Sequence, residues 1–171
     1  MSMPTTPDSS AHPARDGTRD FDFLHGAWRV RNRRLRHALS DANDWDEFDG
    51  TTVERPLWDG AANLEEYDAM APSGQIRGLA LRLYAPRARL WSIYWSNSVT
   101  GRLDQPMIGA FRDGRGEFRG QDEIEGTMVD VRFVWTASGS QACRWEQAFS
   151  ADDGDNWEIN WVMEFTRADL Q

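Results

Sequence analysis

The sequence predicts an all-β fold: a single antiparallel up-and-down β-barrel of about ten strands. Three observations carry that expectation. Apolar and polar residues alternate with a period of two in segment after segment, the pattern of half-buried strands. Gly, Asp, Asn and Pro punctuate the chain between those segments. No stretch sustains a helical period for longer than about two turns, so there is no amphipathic helix to pack. Closing the meander on itself removes exposed strand edges and is the economical solution.

The elements follow in chain order. Residues 1–20 hold three of the seven prolines and no aromatic residue, and read as a disordered leader ahead of one domain over 21–171. Phe21 to Leu24 suits a single helical turn into a first strand near 27–35, and the polar connection from Arg36 to Asp46 has room for another. Weaker strands are expected near 47–55 and 62–69. Leu79, Leu81 and Leu83 alternate with Ala80, Arg82 and Tyr84, between breaks at Pro72-Ser-Gly74 and Pro86. Trp91, Ile93 and Trp95 alternate with Ser92, Tyr94 and Ser96. Asp113-Gly114 is a short-hairpin signal between strands near 106–112 and 116–123. Val129, Val131, Phe133 and Trp135 mark the next strand, and Trp145, Gln147 and Phe149 the one after. In the last, Trp157, Ile159, Trp161, Met163 and Phe165 share one face, with Glu158, Asn160 and Glu164 on the other. The face carrying large apolar residues is expected to point into the barrel.

Composition removes whole classes of chemistry. All 19 basic residues are Arg, so lysine Schiff bases and Walker-type phosphate loops are excluded. Cys143 is the single cysteine, in phase with Trp145, and reads as a buried, inert thiol. His12, His25 and His37 are too few and too poorly placed for a zinc site, so neither a metal nor a cofactor is expected. No apolar run is long enough for a membrane helix. A net charge of -9 repels phosphate backbones and anionic lipid, so neither nucleic acid nor membrane is an expected partner. The exception is the cluster Arg29, Arg31, Arg33, Arg34 and Arg36. On a strand, Arg29, Arg31 and Arg33 share one face, expected to be solvated and neutralised by acidic neighbours, and Arg34 takes the other. The beginning of the chain lacks the apolar stretch of a signal peptide, which with the lone cysteine suits a cytoplasmic location.

Two motifs are read as structural. Ser150-Ala-Asp152-Asp-Gly154-Asp-Asn-Trp157 fits the pattern S-x-D-x-G-x-x-W, in which Ser and Asp side chains bond turn amides and Trp folds back over the hairpin. One copy without a blade-length repeat makes it a hairpin between the last two strands, not a glycosidase signature. Gly26-Ala-Trp28 opens the first strand and Arg167 follows the last. This pair resembles the arrangement of lipocalins and their calycin relatives, in which an arginine from the chain's end lies over the tryptophan and closes the barrel bottom. Phe21-Asp-Phe-Leu-His-Gly-Ala-Trp28, Arg33-Arg-Leu35, Arg55-Pro-Leu57, Leu81-Arg-Leu-Tyr84, Trp91-Ser-Ile-Tyr-Trp95 and Arg144-Trp-Glu-Gln-Ala-Phe-Ser150 together resemble a bacterial calycin-like family known as a domain of unknown function. The resemblance spans about residues 21–167 and implies a barrel with a cavity, with no catalytic residues to carry over. Nitrobindin-type barrels, similar by fold, hold haem through a histidine late in the barrel; here no histidine follows His37.

Polar residues in phase with the large apolar ones are the candidates for chemistry, since burying them without partners is costly. They are Arg34, in phase with Trp28 and Val30; Gln147, between Trp145 and Phe149; and Asp122, in phase with Phe118. Asn63, Glu65 and Tyr67 form a polar face whose direction the pattern leaves open. Trp95, Trp135, Trp145 and Trp161 would supply flat walls. Two readings of the interior follow: a packed core in which Arg34 pairs with Glu65 or Asp122, or a small-molecule cavity. The leading functional expectation is a cytoplasmic binding protein for a small, partly apolar or aromatic ligand, with Arg34 pairing an acidic group and Trp145 and Trp161 stacking on the body. The alternatives are an enzyme using Glu65, Asp122 or Glu146 as general acid or base, and a glycan-binding protein. The Tyr94 face is a plausible homodimer contact.

Overall fold

In the computed structural model, which describes residues 16–168, ten strands close into one barrel. They are β1 (Gly26–Leu35), β2 (Trp45–Leu57), β3 (Ala62–Ala71), β4 (Gly74–Ala85), β5 (Leu90–Asn97), β6 (Met107–Arg112), β7 (Arg115–Ile124), β8 (Thr127–Ala137), β9 (Ala142–Ser150) and β10 (Glu158–Arg167). Each pairs antiparallel with its successor, and β1 meets β10 in a register running from Trp28 opposite Arg167 to Arg34 opposite Trp161. Short 3-10 turns precede β1 (Asp22–Leu24) and join β2 to β3 (Trp58–Gly60). The β6–β7 hairpin turns on Asp113-Gly114, both at positive φ (51° and 77°), the geometry that two-residue hairpins favour.

The connection from Arg36 to Asp44 forms turns and no helix, because Leu39 and Asp41 take positive φ and interrupt any helical run. Of the expected leader, residues 1–15 lie outside the described residues. Asp16 to Asp20 form a turn in which the Gly17 carbonyl accepts from the Asp20 amide (3.1 Å) and from the Trp91 indole (3.0 Å).

Two strands face the opposite way from the apolar pattern, one throughout and one in part. In β4 the leucines point outward, and Gly78, Ala80, Arg82 and Tyr84 point inward. The Trp95 ring lies across Gly78, where any Cβ would run into it, so the inner wall has space for small residues here. In β10 a bulge between Ile159 and Trp161 shifts the phase. Trp161, Met163 and Phe165 face inward as expected, while Ile159 is 40% exposed and Asn160 is turned in. Trp157 packs outside instead, under the guanidinium of Arg132 (4.4 Å to the ring centroid).

One end of the barrel is sealed. Phe21 meets Trp91 and Phe111 edge-on at 5.0 Å and stacks on Phe118 at 5.7 Å. The Arg167 guanidinium lies 3.8 Å from the Trp28 ring centroid and donates to the carbonyls of Phe23, His25 and Ser140. Gly26, at φ 110°, leaves the space this needs, since a Cβ there would sit 2.8 Å from Arg167 Nη1. At the other end, the Ser150–Trp157 hairpin is tied as its motif suggests. Ser150 Oγ accepts from the Gly154 amide (2.9 Å), Asp152 accepts from the Asn156 amide (2.9 Å), and the Trp157 indole donates to the Gly154 carbonyl (3.0 Å).

Candidate functional site

Above the sealed end the barrel holds a cavity of about 750 Å³ that opens between the strand ends opposite the Phe21 plug. Its mouth is formed by the β1–β2 connection (Arg36, His37), by Asp104 and Gln105 between β5 and β6, and by the end of β7 and the turn after it (Asp122, Glu125). Trp95, Trp135, Trp145 and Trp161 all line it. Trp145 meets Trp161 edge-on at 5.7 Å, and Phe133 meets Trp145 at 4.9 Å, so the aromatic wall is continuous across β8, β9 and β10. Buried Asn32 fixes its orientation: Asn32 Oδ1 accepts from both the Trp161 indole (3.1 Å) and the Tyr67 hydroxyl (2.8 Å).

The deep wall carries a charge cluster. Arg82 is 2% exposed, its Nη1 donating to Glu54 (3.1 Å) and Asn63 (3.1 Å) while its Nη2 pairs with Glu65. Thr52 donates to the other Glu65 oxygen at 2.9 Å. The guanidinium also lies over Phe21 (5.1 Å) and Trp135 (5.4 Å). Burial pushes the Glu54 carboxyl up to about 8, against the pull of Arg82 and with help from the Glu65 charge. For Arg82, burial favours losing the proton, but Glu65 and Glu54 outweigh it and hold the guanidinium above its ordinary value.

Eight of the nine residues expected to bind a ligand line this cavity: Arg34, Glu65, Trp95, Asp122, Trp135, Trp145, Gln147 and Trp161. Asn63 does not; its side chain is fully buried against Arg82. The open question of the Asn63–Tyr67 face is resolved inward. The interior ion pair imagined for Arg34 is absent. Glu65 is taken by Arg82, and among the described residues Arg34 makes no salt bridge; it lies 4.4 Å from the Trp161 ring centroid. By contrast Arg31 and Arg33 both reach Glu47 on the outer face.

The carboxylates considered for acid–base chemistry are scattered. Glu146 is on the outer face, bound to Arg144 at 2.6 Å, because its neighbours Trp145 and Gln147 face in. Asp122 is exposed at the mouth. Glu65 is buried with both oxygens engaged. Cys143 is buried and its thiol is pushed up to about 12 by burial, which leaves it inert. No cluster of potential metal ligands occurs among the described residues.

Sequence reasoning missed Asn32, Thr52, Glu54, Arg82 and Asn160. Asn32 was legible, being in phase with Trp28, Val30 and Arg34. Arg82 was masked by the stronger leucine alternation beside it, and Asn160 by the bulge.

Among solved structures, the chain resembles the S-type phycobiliprotein lyase CPES from Guillardia theta, with a TM-score of 0.62 at 9% identity, over 93% of this chain and 100% of that one. It also resembles Rv2717c from M. tuberculosis, with a TM-score of 0.60 at 10% identity, over 91% of this chain and 99% of that one. At these identities the likeness establishes the fold, a ten-strand calycin-like barrel. No protein-family model matches the chain and no curated protein gives a significant match, so the resemblance to a bacterial family rests on its motifs.

Proposed function

We propose that the chain is a binding protein for a small, flat, partly apolar molecule held in the tryptophan-lined cavity. The observation that carries this reading is the cavity itself: about 750 Å³, open at one end, walled by four tryptophans and a few fixed polar groups. Small-molecule sites share that size and that mixture of apolar walls with sparse polar anchors. The fold held in common with a phycobiliprotein lyase supports the same reading. A homodimer belongs to the proposal as well, through the outer face where Leu81 stands between Leu64 and Tyr94 on neighbouring strands.

A neutral, three-ring probe, anthracene carboxamide, tests the reading through tryptophan fluorescence. Saturable quenching by the wild-type protein, weakened in Trp161→Ala and Trp145→Ala, is expected. Quenching that never saturates, or that both variants leave unchanged, would contradict it.

A further inference from the structure

The charges along β1 are not distributed evenly. Arg31 and Arg33 share Glu47, and Arg36 holds Asp46 at 2.7 Å. Arg34 and Arg36 both border the cavity, but Arg36 is held by Asp46, whereas Arg34 lies over Trp161 and makes no salt bridge among the described residues, Asp46 acting on it only from a distance. The residue as a whole stays exposed, and its partial burial lowers its pKa from the ordinary guanidinium value by more than Tyr67 and the facing Asp46 raise it. Next to Trp161 the β10 bulge turns Asn160 into the same wall. Asn160 is 3% exposed; its Oδ1 accepts from Gln147 (2.8 Å), and its Nδ2 is buried with no partner. What this stretch of wall has left unused is therefore a cation and an amide donor.

Resting on the cavity-binding reading above, we infer that the ligand is an organic acid, a flat aromatic carboxylate whose charged group is received at the mouth end by Arg34, with the Asn160 amide as a second donor. A carboxylate is acceptor-only and matches both vacancies, and its pairing with a guanidinium is charge-assisted. The deep wall does not compete for it, because Arg82 is already neutralised by its own carboxylates. Asp104 and Asp122, also at the mouth, are exposed like Arg34 and would repel a carboxylate, so a preference for the acid measures Arg34 and Asn160 against them. The body of the acid would lie on the Trp145–Trp161 corner, with its ring plane against one indole and its edge toward the other.

The test compares three probes of one shape by tryptophan quenching: anthracene carboxylate, anthracene carboxamide and aminomethyl anthracene. Wild-type protein is expected to bind the carboxylate roughly tenfold or more tightly than the carboxamide. Arg34→Gln should bring that ratio close to one, and Arg34→Lys should keep much of the preference. Asn160→Ala should reduce the ratio by a smaller factor. Equal affinity for carboxylate and carboxamide in the wild type overturns the inference yet leaves the cavity reading standing. Tightest binding of the amine overturns it in favour of a site that reads cations through Asp104 and Asp122. If none of the three quenches saturably, the inference and the cavity reading both fall.

Discussion

Each end of the barrel sets an arginine over a tryptophan, and the two pairs differ in what the arginine has left to bond. At the sealed end Arg167 lies 3.8 Å from the Trp28 ring centroid and spends its donors on three backbone carbonyls. At the open end Arg34 lies 4.4 Å from the Trp161 ring centroid and makes no salt bridge among the described residues, Asp46 opposite it acting only from a distance. The first is a closed arrangement, holding the Phe23–His25 turn and the β8–β9 connection to the last strand. The second is the same contact without such backbone bonds, beside about 750 Å³ of free space. The comparison separates a stacked arginine that ties the backbone together from one that makes no salt bridge among the described residues, the feature on which the proposed acid site rests.

The contrast should be sharpest in stability. Trp28→Ala removes a buried indole from under Arg167 and is expected to cost about 3–5 kcal/mol. Trp161→Ala, bordering open space, should cost less, and urea unfolding of both variants checks the order. Arg82→Ala, between the two ends, should approach the larger figure, about 3–5 kcal/mol, because it leaves Glu54 and Glu65 buried without their cation.

A second test uses pH. The folded Glu54 carboxyl is raised from 4.5 to about 8, so the folded state holds a proton that the unfolded state has released. Its stabilising contribution is complete below about pH 4.5, declines as pH rises, and is gone above about pH 8, an effect of a few kcal/mol. His25, lowered by burial, works in the opposite direction. The slope should therefore be read as the difference between wild type and Glu54→Gln, in which the decline is absent; urea midpoints across this range would reveal it.

Arg34→Gln should cost no more than about 1 kcal/mol of thermal stability, since it gives up the contact over Trp161 but no salt bridge among the described residues. A large loss would mean that the open end is as structural as the sealed one. The smallest effect is expected at the Ser150–Trp157 hairpin. Bonds from Asn156 and Ser150 hold Asp152 down at about 2, so its contribution is present above about pH 3.8 and lost as pH falls through about 2. Asp152→Asn should lose that acid-range dependence, measured by thermal melts at low pH.

The fold was legible because nearly every strand obeys a period of two and the turns announce themselves. The sealed end was legible for the same reason that it is sealed: Gly26, Trp28 and Arg167 each leave a local mark in the sequence. The cavity wall was legible as far as its tryptophans, Arg34 and Gln147. It stopped being so where tertiary packing overrides pattern. The leucines of β4 claim the inner face on hydrophobicity, yet Trp95 across Gly78 and the acids waiting for Arg82 place them outside. Asn160 sits on the outer face by strict alternation, and one extra residue in β10 brings it in. A single sequence carries no local signal for either.

The account stands most directly on whether the cavity is occupied by a small molecule in the cell. Native mass spectrometry of the purified protein, compared with its denatured mass, measures this in one experiment. The account predicts a reproducible excess mass that disappears on denaturation, released as an organic acid. A native mass equal to that of the bare polypeptide, together with no saturable quenching by any of the anthracene probes, would contradict it.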